Sequence, residues 1–347
     1  MKLPRSRTPW LFVAAATLAC SSETVPMWPA PPVHWQPSGS EPEDRSSPAT
    51  PTVYERALAD AYTAALVSPH FTDLERILAE QAHLFIGAKD THGRQRVVKA
   101  YDDALGAFGD RRFIKSRIWL TDSTHVLDTQ ALEWTMTGVQ AGAYLGVPTS
   151  HKPVIIKGLT LIWTDDDGII ADLHTYFDEE VVKAQIDGGS AEVKGVVWPP
   201  GTRDQPRMHE RKGTPEEAAN VKTVRGAIQA LEDGDENAYV SAMADDVDVF
   251  TLDHAEPVHG KQAAHAYFRV MRGAIRLLDT VIENAWGVES FVIAEYSING
   301  LQLAPLPRVA FSAGRAIHTQ FADVVELRDG KIARIWRYAD PIAFASL

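Results

Sequence analysis

Cysteine is almost missing from this chain, with one residue in 347. A single thiol cannot close an internal disulfide, so the fold has no covalent framework to rely on. Cations are also scarce: 34 Lys and Arg stand against 46 Asp and Glu, for a formal charge of −12. No basic stripe interleaved with aromatics compensates for this deficit, which excludes nucleic acid as an expected partner. There is no Gly-rich phosphate loop, no Gly-x-Ser-x-Gly elbow and no His-Glu-x-x-His. The twelve histidines are scattered, and His254, His259 and His265 lack paired metal-ligand spacing. Neither a cofactor nor a metal is expected on these patterns.

Long apolar runs are absent too. The one at the N-terminus, Trp10 to Ala19, follows Lys2, Arg5 and Arg7 and is too short to span a bilayer. It ends at Thr17-Leu18-Ala19-Cys20, and Cys20 is the single cysteine. The segment resembles a bacterial lipoprotein signal, with Thr17 where such signals usually carry Leu. That resemblance implies removal of residues 1–19 and lipidation of Cys20. It further implies a membrane partner through the lipid anchor and a place in the cell envelope; Ser21 points to the outer membrane. The alternative is an ordinary secretory signal with Cys20 incidental.

Two segments read as connectors. Residues 20–51 carry eight prolines amid Ser, Thr and Glu and form an expected extended tether. Residues 187–213 run from Asp187-Gly188-Gly189-Ser190 through Trp198-Pro199-Pro200-Gly201 to Gly213. They end at Thr214-Pro215-Glu216-Glu217, which orders an N-cap, a first-turn proline and a capping-box glutamate.

The chain between and after these connectors says one thing twice. Glu133-Trp134-x-x-x-Gly138 returns as Glu295-Tyr296-x-x-x-Gly300. Thirty residues past each glycine stands a hairpin glycine, Gly168 and Gly330, and eight further a tyrosine, Tyr176 and Tyr338. Gly93-Arg94-Gln95 matches Gly260-Lys261-Gln262 at two helix starts. Four markers in one order describe an internal duplication, with domains at 52–186 and 214–347. Apolar spacing predicts helices from Tyr54 to Leu66, after a Thr72-x-x-Glu75 cap, and over Arg94–Phe108. Strands are expected at 83–86, 113–120, 126–139, 154–164 and 169–176. The second repeat gives helices over Val221–Leu231, near Ala238–Met243 and over Lys261–Ile275. Its strands are expected at 247–252, 277–287, 290–302, 315–327 and 331–338. Three helices and a short strand followed by a meander of long strands is an α+β pattern.

Both repeats resemble SnoaL-like domains of the nuclear transport factor 2-like superfamily. The resemblance rests on Glu133 to Pro148, Gly158 to Ile170 and Leu173 to Ile186. Within the first stretch, Gly142-Ala143-Tyr144-Leu145-Gly146-Val147-Pro148 is similar to the glycine–proline crossover of SnoaL-like polyketide cyclases. The second repeat keeps the helices, the hairpin and Tyr338-Ala339-Asp340 but shows Leu303-Ala304-Pro305-Leu306-Pro307 at the crossover. The family implies two cone-shaped α+β barrels, each a curved antiparallel sheet over three helices. It leaves reaction type open, because the fold hosts cyclases, isomerases, epoxide hydrolases and binders.

In the cyclases of this group a His and an Asp face each other across the last hairpin, about seven residues either side of its glycine. Here those positions are Leu161 and Thr175, then Asp323 and Arg337. A symmetric turn would set each pair directly opposite. The first pair, with Trp163 on the same strand face, predicts an apolar ligand pocket or plain core. The second sets Asp323 beside Phe321, a carboxylate among apolar neighbours. Desolvation would raise its pKa toward the range useful for a general base, and a nearby Arg337 would pull it back down. The pair therefore reads as an ion pair, an anion-binding device or a catalytic couple. His174, Tyr176, Asp178, Glu133 and Glu295 fall on the other face and suit an interdomain contact. Asp253 and His254 could sit at a pocket mouth.

The leading expectation is an anchored, two-domain protein binding a small apolar or amphipathic molecule through Leu161, Trp163, Thr175 and Phe321. The alternatives are a cofactor-independent cyclase or isomerase using Asp323, and a non-catalytic scaffold. The two domains are expected to dock as an intramolecular pseudo-dimer.

Overall fold

The computed structural model describes residues 53–87, 89–122, 129–187, 206–251, 257–305 and 313–339. The expected export segment with Cys20, the expected tether, most of the expected connector (188–205), Asp253, His254 and Asp340 lie outside the described residues.

The first half opens with α1 (Val53–Val67), a 3-10 segment (Pro69–Arg76), β1 (Leu78–Ile86), β2 (Lys89–His92) and α2 (Arg94–Leu105). Four long strands follow: β3 (Phe108–Asp122), β4 (Thr129–Gln140), β5 (Pro153–Thr164) and β6 (Ile170–Phe177). α3 (Glu179–Ile186) and the short β7 (Arg207–Glu210) lead to the second half. That half runs α4 (Pro215–Asp233), α5 (Glu236–Ser241), β8 (Met243–Thr251), β9 (Val258–His259), α6 (Gly260–Ala274) and β10 (Ile275–Val288). It closes with β11 (Phe291–Gln302), β12 (Ala316–Arg328) and β13 (Lys331–Ala339).

The duplication is visible in the topology. One sheet has the order β2-β1-β6-β5-β4-β3-β7 and the other β9-β8-β13-β12-β11-β10. β1 pairs with β6 in parallel, β8 does so with β13, and the long strands pair antiparallel. These are two tandem α+β domains, each a sheet with helices on one face.

The recurring glycine of the Glu-aromatic-x-x-x-Gly marker has a steric reason. A Cβ on Gly138 would stand 2.9 Å from the Gly109 carbonyl oxygen, and one on Gly300 would stand 2.8 Å from that of Arg276. Both contacts fall beside register shifts in the neighbouring strand, where the backbones crowd.

α4 starts as its sequence dictates. The Thr214 hydroxyl accepts from the Glu217 N–H at 3.2 Å, the Glu217 carboxylate accepts from the Thr214 N–H at 2.8 Å, and Gly234 ends the helix in the left-handed region. Three elements depart from expectation. Thr72 caps no helix; the segment is 3-10, with His70 and Phe71 at φ 57° and 55° and Phe71 fully buried under the Arg111 guanidinium. Asp178 of the terminal Tyr-x-Asp accepts from the Val181 N–H and caps α3, which buries Val182 and Ile186. The expected connector holds β7, which pairs in parallel with β3.

Each half has its own core between helices and sheet. A third apolar cluster joins Trp119, Leu159, Leu161 and Tyr176 of the first half to Phe291, Ile293, Val324, Trp336 and Tyr338 of the second. β3 meets β10 and β6 meets β13, so equivalent strands face each other as they do across a two-fold axis.

Candidate functional site

The second barrel gathers its polar groups around β12 and β13. Asp323 and Arg337 are direct register partners. The Arg337 Nε donates to Asp323 Oδ1 at 2.9 Å and Nη2 donates to Oδ2 at 2.6 Å, a two-pronged pair. The Tyr296 hydroxyl donates to Asp323 Oδ2 at 3.0 Å and accepts from Arg337 Nη2 at 2.8 Å. Arg337 Nη1 donates to the Tyr267 hydroxyl on α6. Burial alone would lower the Arg337 guanidinium; the Asp323 carboxylate and the phenols of Tyr267 and Tyr296 hold it well above its ordinary value. Burial keeps the Tyr296 phenol protonated far past its usual range. Phe321 stacks on Tyr296 with ring centroids 5.3 Å apart and lies 5.3 Å from the Arg337 guanidinium carbon.

This arrangement disfavours Asp323 as a general base. Both of its oxygens already accept charge-assisted bonds, and any substrate proton would compete with a permanent cation at 2.6 Å. What remains for chemistry is the cation. Of the five N–H donors on a guanidinium, four are engaged here, and one on Nη1 has no partner among the described residues. The Thr319 hydroxyl, two places before Phe321 on the same strand face, is fully buried and also has no partner among the described residues.

In the first barrel the equivalent positions are Thr160 and Thr175, not Leu161 and Thr175. β5 and β6 pair Thr160 with Thr175 and Leu161 with His174. The hairpin is the cause. Asp329 and Gly330 form a two-residue turn with φ of 54° and 71°, whereas the first loop is wider, spanning Asp165 to Ile169; a register shift follows both. A one-residue slip exchanges the faces of a strand. Leu161 thus belongs to the cluster between the halves, and Trp163 packs beside it against His174 and Trp286 at 4.7 and 5.8 Å. Neither lines the barrel interior. Thr175 does, and Phe321 does in the second half.

The interior of the first barrel is neutral and closed. The Tyr101 hydroxyl bonds those of Tyr62 at 2.8 Å and Thr175 at 2.9 Å. Trp134 Nε1 donates to Thr160 at 3.0 Å, and Thr160 lies 3.2 Å from Thr175. Tyr62, Tyr101, Thr160 and Thr175 are all fully buried, and burial raises both phenols above their ordinary value.

The repeated glutamates sit between the halves. Glu133 takes Arg117 at 2.7 and 2.6 Å from its own half and the Tyr338 hydroxyl at 2.5 Å from the other. Glu295 takes Asn284 from its own half at 2.5 Å, then the Tyr176 hydroxyl and His174 Nδ1 of the other, each at 2.5 Å. The Arg117 guanidinium carbon lies 3.9 Å over the Trp336 ring. Alternation along β4, β6 and β11 was enough to place these groups away from the barrels. The sequence did not reveal Tyr62, Tyr101 or Tyr267, which reach the sites from helices whose rotation cannot be read from spacing alone.

Among known proteins, residues 224–335 match the family model of the SnoaL-like domain. Solved structures with similar folds include a candidate SnoaL-like polyketide cyclase from Jannaschia sp. CCS1 (22% identity, 39% of this chain and 96% of that one, TM-score 0.35). Others are an LEH-like epoxide hydrolase from M. tuberculosis (19%, 38% and 90%, 0.32) and a nuclear transport factor 2-like protein from Burkholderia xenovorans LB400 (17%, 37% and 94%, 0.30). No curated protein matches the chain. The second half of this protein thus carries the match to the SnoaL-like domain, and the first half repeats its strand order.

Proposed function

We propose that the chain is a binding protein for a small amphipathic molecule, held in the second barrel with its polar group on Arg337. The apolar body would lie against Phe321, and an acceptor oxygen of the ligand would take the remaining Nη1–H of Arg337 and the Thr319 hydroxyl. The observation that carries this reading is the contrast between the two interiors. The first repeat closes the same fold on two threonines, so the fold does not require an ion pair at these positions. A buried ion pair is rarely a net stabiliser compared with well-packed neutral groups. Arg337 also retains 11% side-chain exposure, whereas the four hydroxyl residues of the first barrel retain none. In this reading the first domain is a sealed partner, and the halves work as an intramolecular pseudo-dimer.

Isomerase-type proton transfer by Asp323 is the weaker reading, because its carboxylate is committed to Arg337. The anchor expected at Cys20 would hold the pair of domains at a membrane surface; a Cys20→Ser chain would then move from the membrane to the soluble fraction of the host.

Titration with 1-anilinonaphthalene-8-sulfonate, an aromatic anion of this kind, tests the site. One molecule should bind per chain, and Arg337→Met should weaken binding at least tenfold while Thr175→Val leaves it unchanged. Equal binding by wild type and Arg337→Met would refute the assignment, as would the loss of one bound small molecule from neither protein in native mass spectra of host-purified chains.

A further inference from the structure

We propose that His83, Asp172 and His174 form a site for one divalent transition-metal ion of the zinc type, with Asp90 and Glu295 orienting the two imidazoles. The site lies on the sheet face opposite the barrel interior, beside the second domain.

Topology brings the ligands together. β1 and β6 run in parallel with His83 opposite Asp172, and His174 follows two residues on, on the same face. One donor atom from each of the three lies within 4.8 Å of the others. Asp172 Oδ1 stands 2.7 Å from His83 Nδ1 and 3.3 Å from His174 Nε2. Ligands about 2.0–2.1 Å from a tetrahedral zinc ion are about 3.3 Å apart. The second spacing already fits, and the first needs to open by only a fraction of an ångström.

The outer nitrogens supply an independent observation. His83 Nε2 is bonded to Asp90 at 2.8 Å, and His174 Nδ1 to Glu295 at 2.5 Å. Each imidazole is therefore held by a carboxylate on the nitrogen away from the site, the arrangement that fixes metal-bound histidines. His174 is 5% exposed, and its Nε2 is buried without a hydrogen-bond partner among the described residues. That nitrogen is turned toward Asp172 and His83. Two imidazole nitrogens and one carboxylate oxygen leave a fourth position open, and Asp172, with 35% side-chain exposure, faces the solvent route to it.

The second repeat fills the same place differently. Its register sets Asp248, Arg334 and Trp336 where the first has His83, Asp172 and His174. The Arg334 guanidinium lies 2.8 Å from Glu326 and 4.0 Å from Asp248, a built-in cation where the first repeat has none. A competing triple of His83, Asp90 and His92 uses the other His83 nitrogen. It is the poorer choice, because His92 is 62% exposed and stacks on His83 at 4.4 Å without a carboxylate at its back.

The test uses the tag-free full-length chain, stripped with chelator and titrated with Co2+ and then Zn2+. One ion per chain should remain after dialysis, with Co2+ visible bands that Zn2+ removes and quenching of Trp163, whose ring is 4.7 Å from His174. His174→Ala and Asp172→Asn should each weaken Zn2+ binding at least 100-fold, Glu295→Gln about 10- to 100-fold, and His92→Ala not at all. Asp172→Asn, half-exposed and outside the interdomain cluster, keeps the test independent of folding. Uptake by wild type no greater than by Asp172→Asn would overturn the proposal. Loss in His92→Ala as large as in His174→Ala would overturn the choice of ligands.

Discussion

Replacing both members of the Asp323–Arg337 pair should do less harm than replacing either one. Arg337→Met leaves the Asp323 carboxylate, 3% exposed, with the Tyr296 hydroxyl as its one remaining donor among the bonds described above. Asp323→Leu leaves a guanidinium at 11% exposure facing two phenols. Stranding one charge of a buried pair costs about 3–5 kcal/mol, so each single variant should lose that much. In the double variant no charge remains, Leu and Met fill most of the volume, and the main loss is a buried phenol without a partner, about 1–3 kcal/mol. The coupling between the two sites should then reach about 3 kcal/mol or more. Urea unfolding of the four proteins, followed by tryptophan fluorescence and far-UV circular dichroism, measures it if the two transitions coincide. Additive single effects, or single losses below about 1 kcal/mol, would show that the pair is solvated and that the reasoning from burial fails.

Glu133→Gln should destabilise by about 3–5 kcal/mol, because it strands the Arg117 guanidinium between the halves, and Arg117→Met should restore much of the loss in the double variant, as read by urea midpoints. Gly158→Ala should lower the melting temperature sharply, since its Cβ would stand 2.3 Å from the Trp134 ring; an unchanged midpoint would mean that the first barrel is not filled by that ring. Burial pushes the Lys157 ammonium down to about 7, with Glu133 opposing the shift. The unfolded chain keeps that proton up to the ordinary lysine value, so wild-type stability should rise with pH above about 7 relative to Lys157→Met. Melting curves of both proteins at pH 6.5 and 9 with a constant difference would contradict this.

The fold was legible because its signals are local. Capping at Thr214, the stop at Gly234 and the recurring hairpin glycines each act over a few residues, and they place most helices and strands within a turn or so. The candidate site was legible in one repeat and illegible in the other for a single reason. At Asp329-Gly330 a two-residue turn, followed by a register shift between Glu326 and Leu327, leaves the strands paired symmetrically about Gly330, so residue numbers predict the pairing of Asp323 with Arg337. At Asp165–Ile169 the Asp165 carboxylate accepts from the N–H groups of Asp167 and Ile169 in a wider loop, and after a similar register shift the strands are no longer paired symmetrically about Gly168. Leu161 then leaves the interior and Thr160 enters it. The metal cluster was hidden for a different reason: its three residues come from strands adjacent in the sheet but far apart in the chain, and parallel pairing carries no hairpin to announce its register.

The two interiors show what each copy of the fold needs and what it merely holds. Trp134 lies over Gly158 in one barrel, whereas Tyr296 stacks on Phe321 in the other, so the same pair of register positions holds one ring, from β4, in the first repeat and two, from β11 and β12, in the second. The indole covers the glycine and gives its N–H to Thr160; the phenol packs on Phe321 and sets its hydroxyl between Asp323 and Arg337. One indole and two threonines complete the first core, whereas two stacked rings stand beside a carboxylate and a guanidinium in the second. On the opposite face the divergence runs the other way: the second repeat carries its own cation at Arg334, and the first presents Asp172 between two carboxylate-backed imidazoles. Each repeat is thus closed on one face of its sheet and chemically open on the other. Because the outer faces meet across the interdomain cluster, Glu295 of the second repeat completes the open face of the first. Separating the halves would therefore disturb the metal cluster directly, while the Arg337 site, on the inner face of its own barrel, would lose no direct contact.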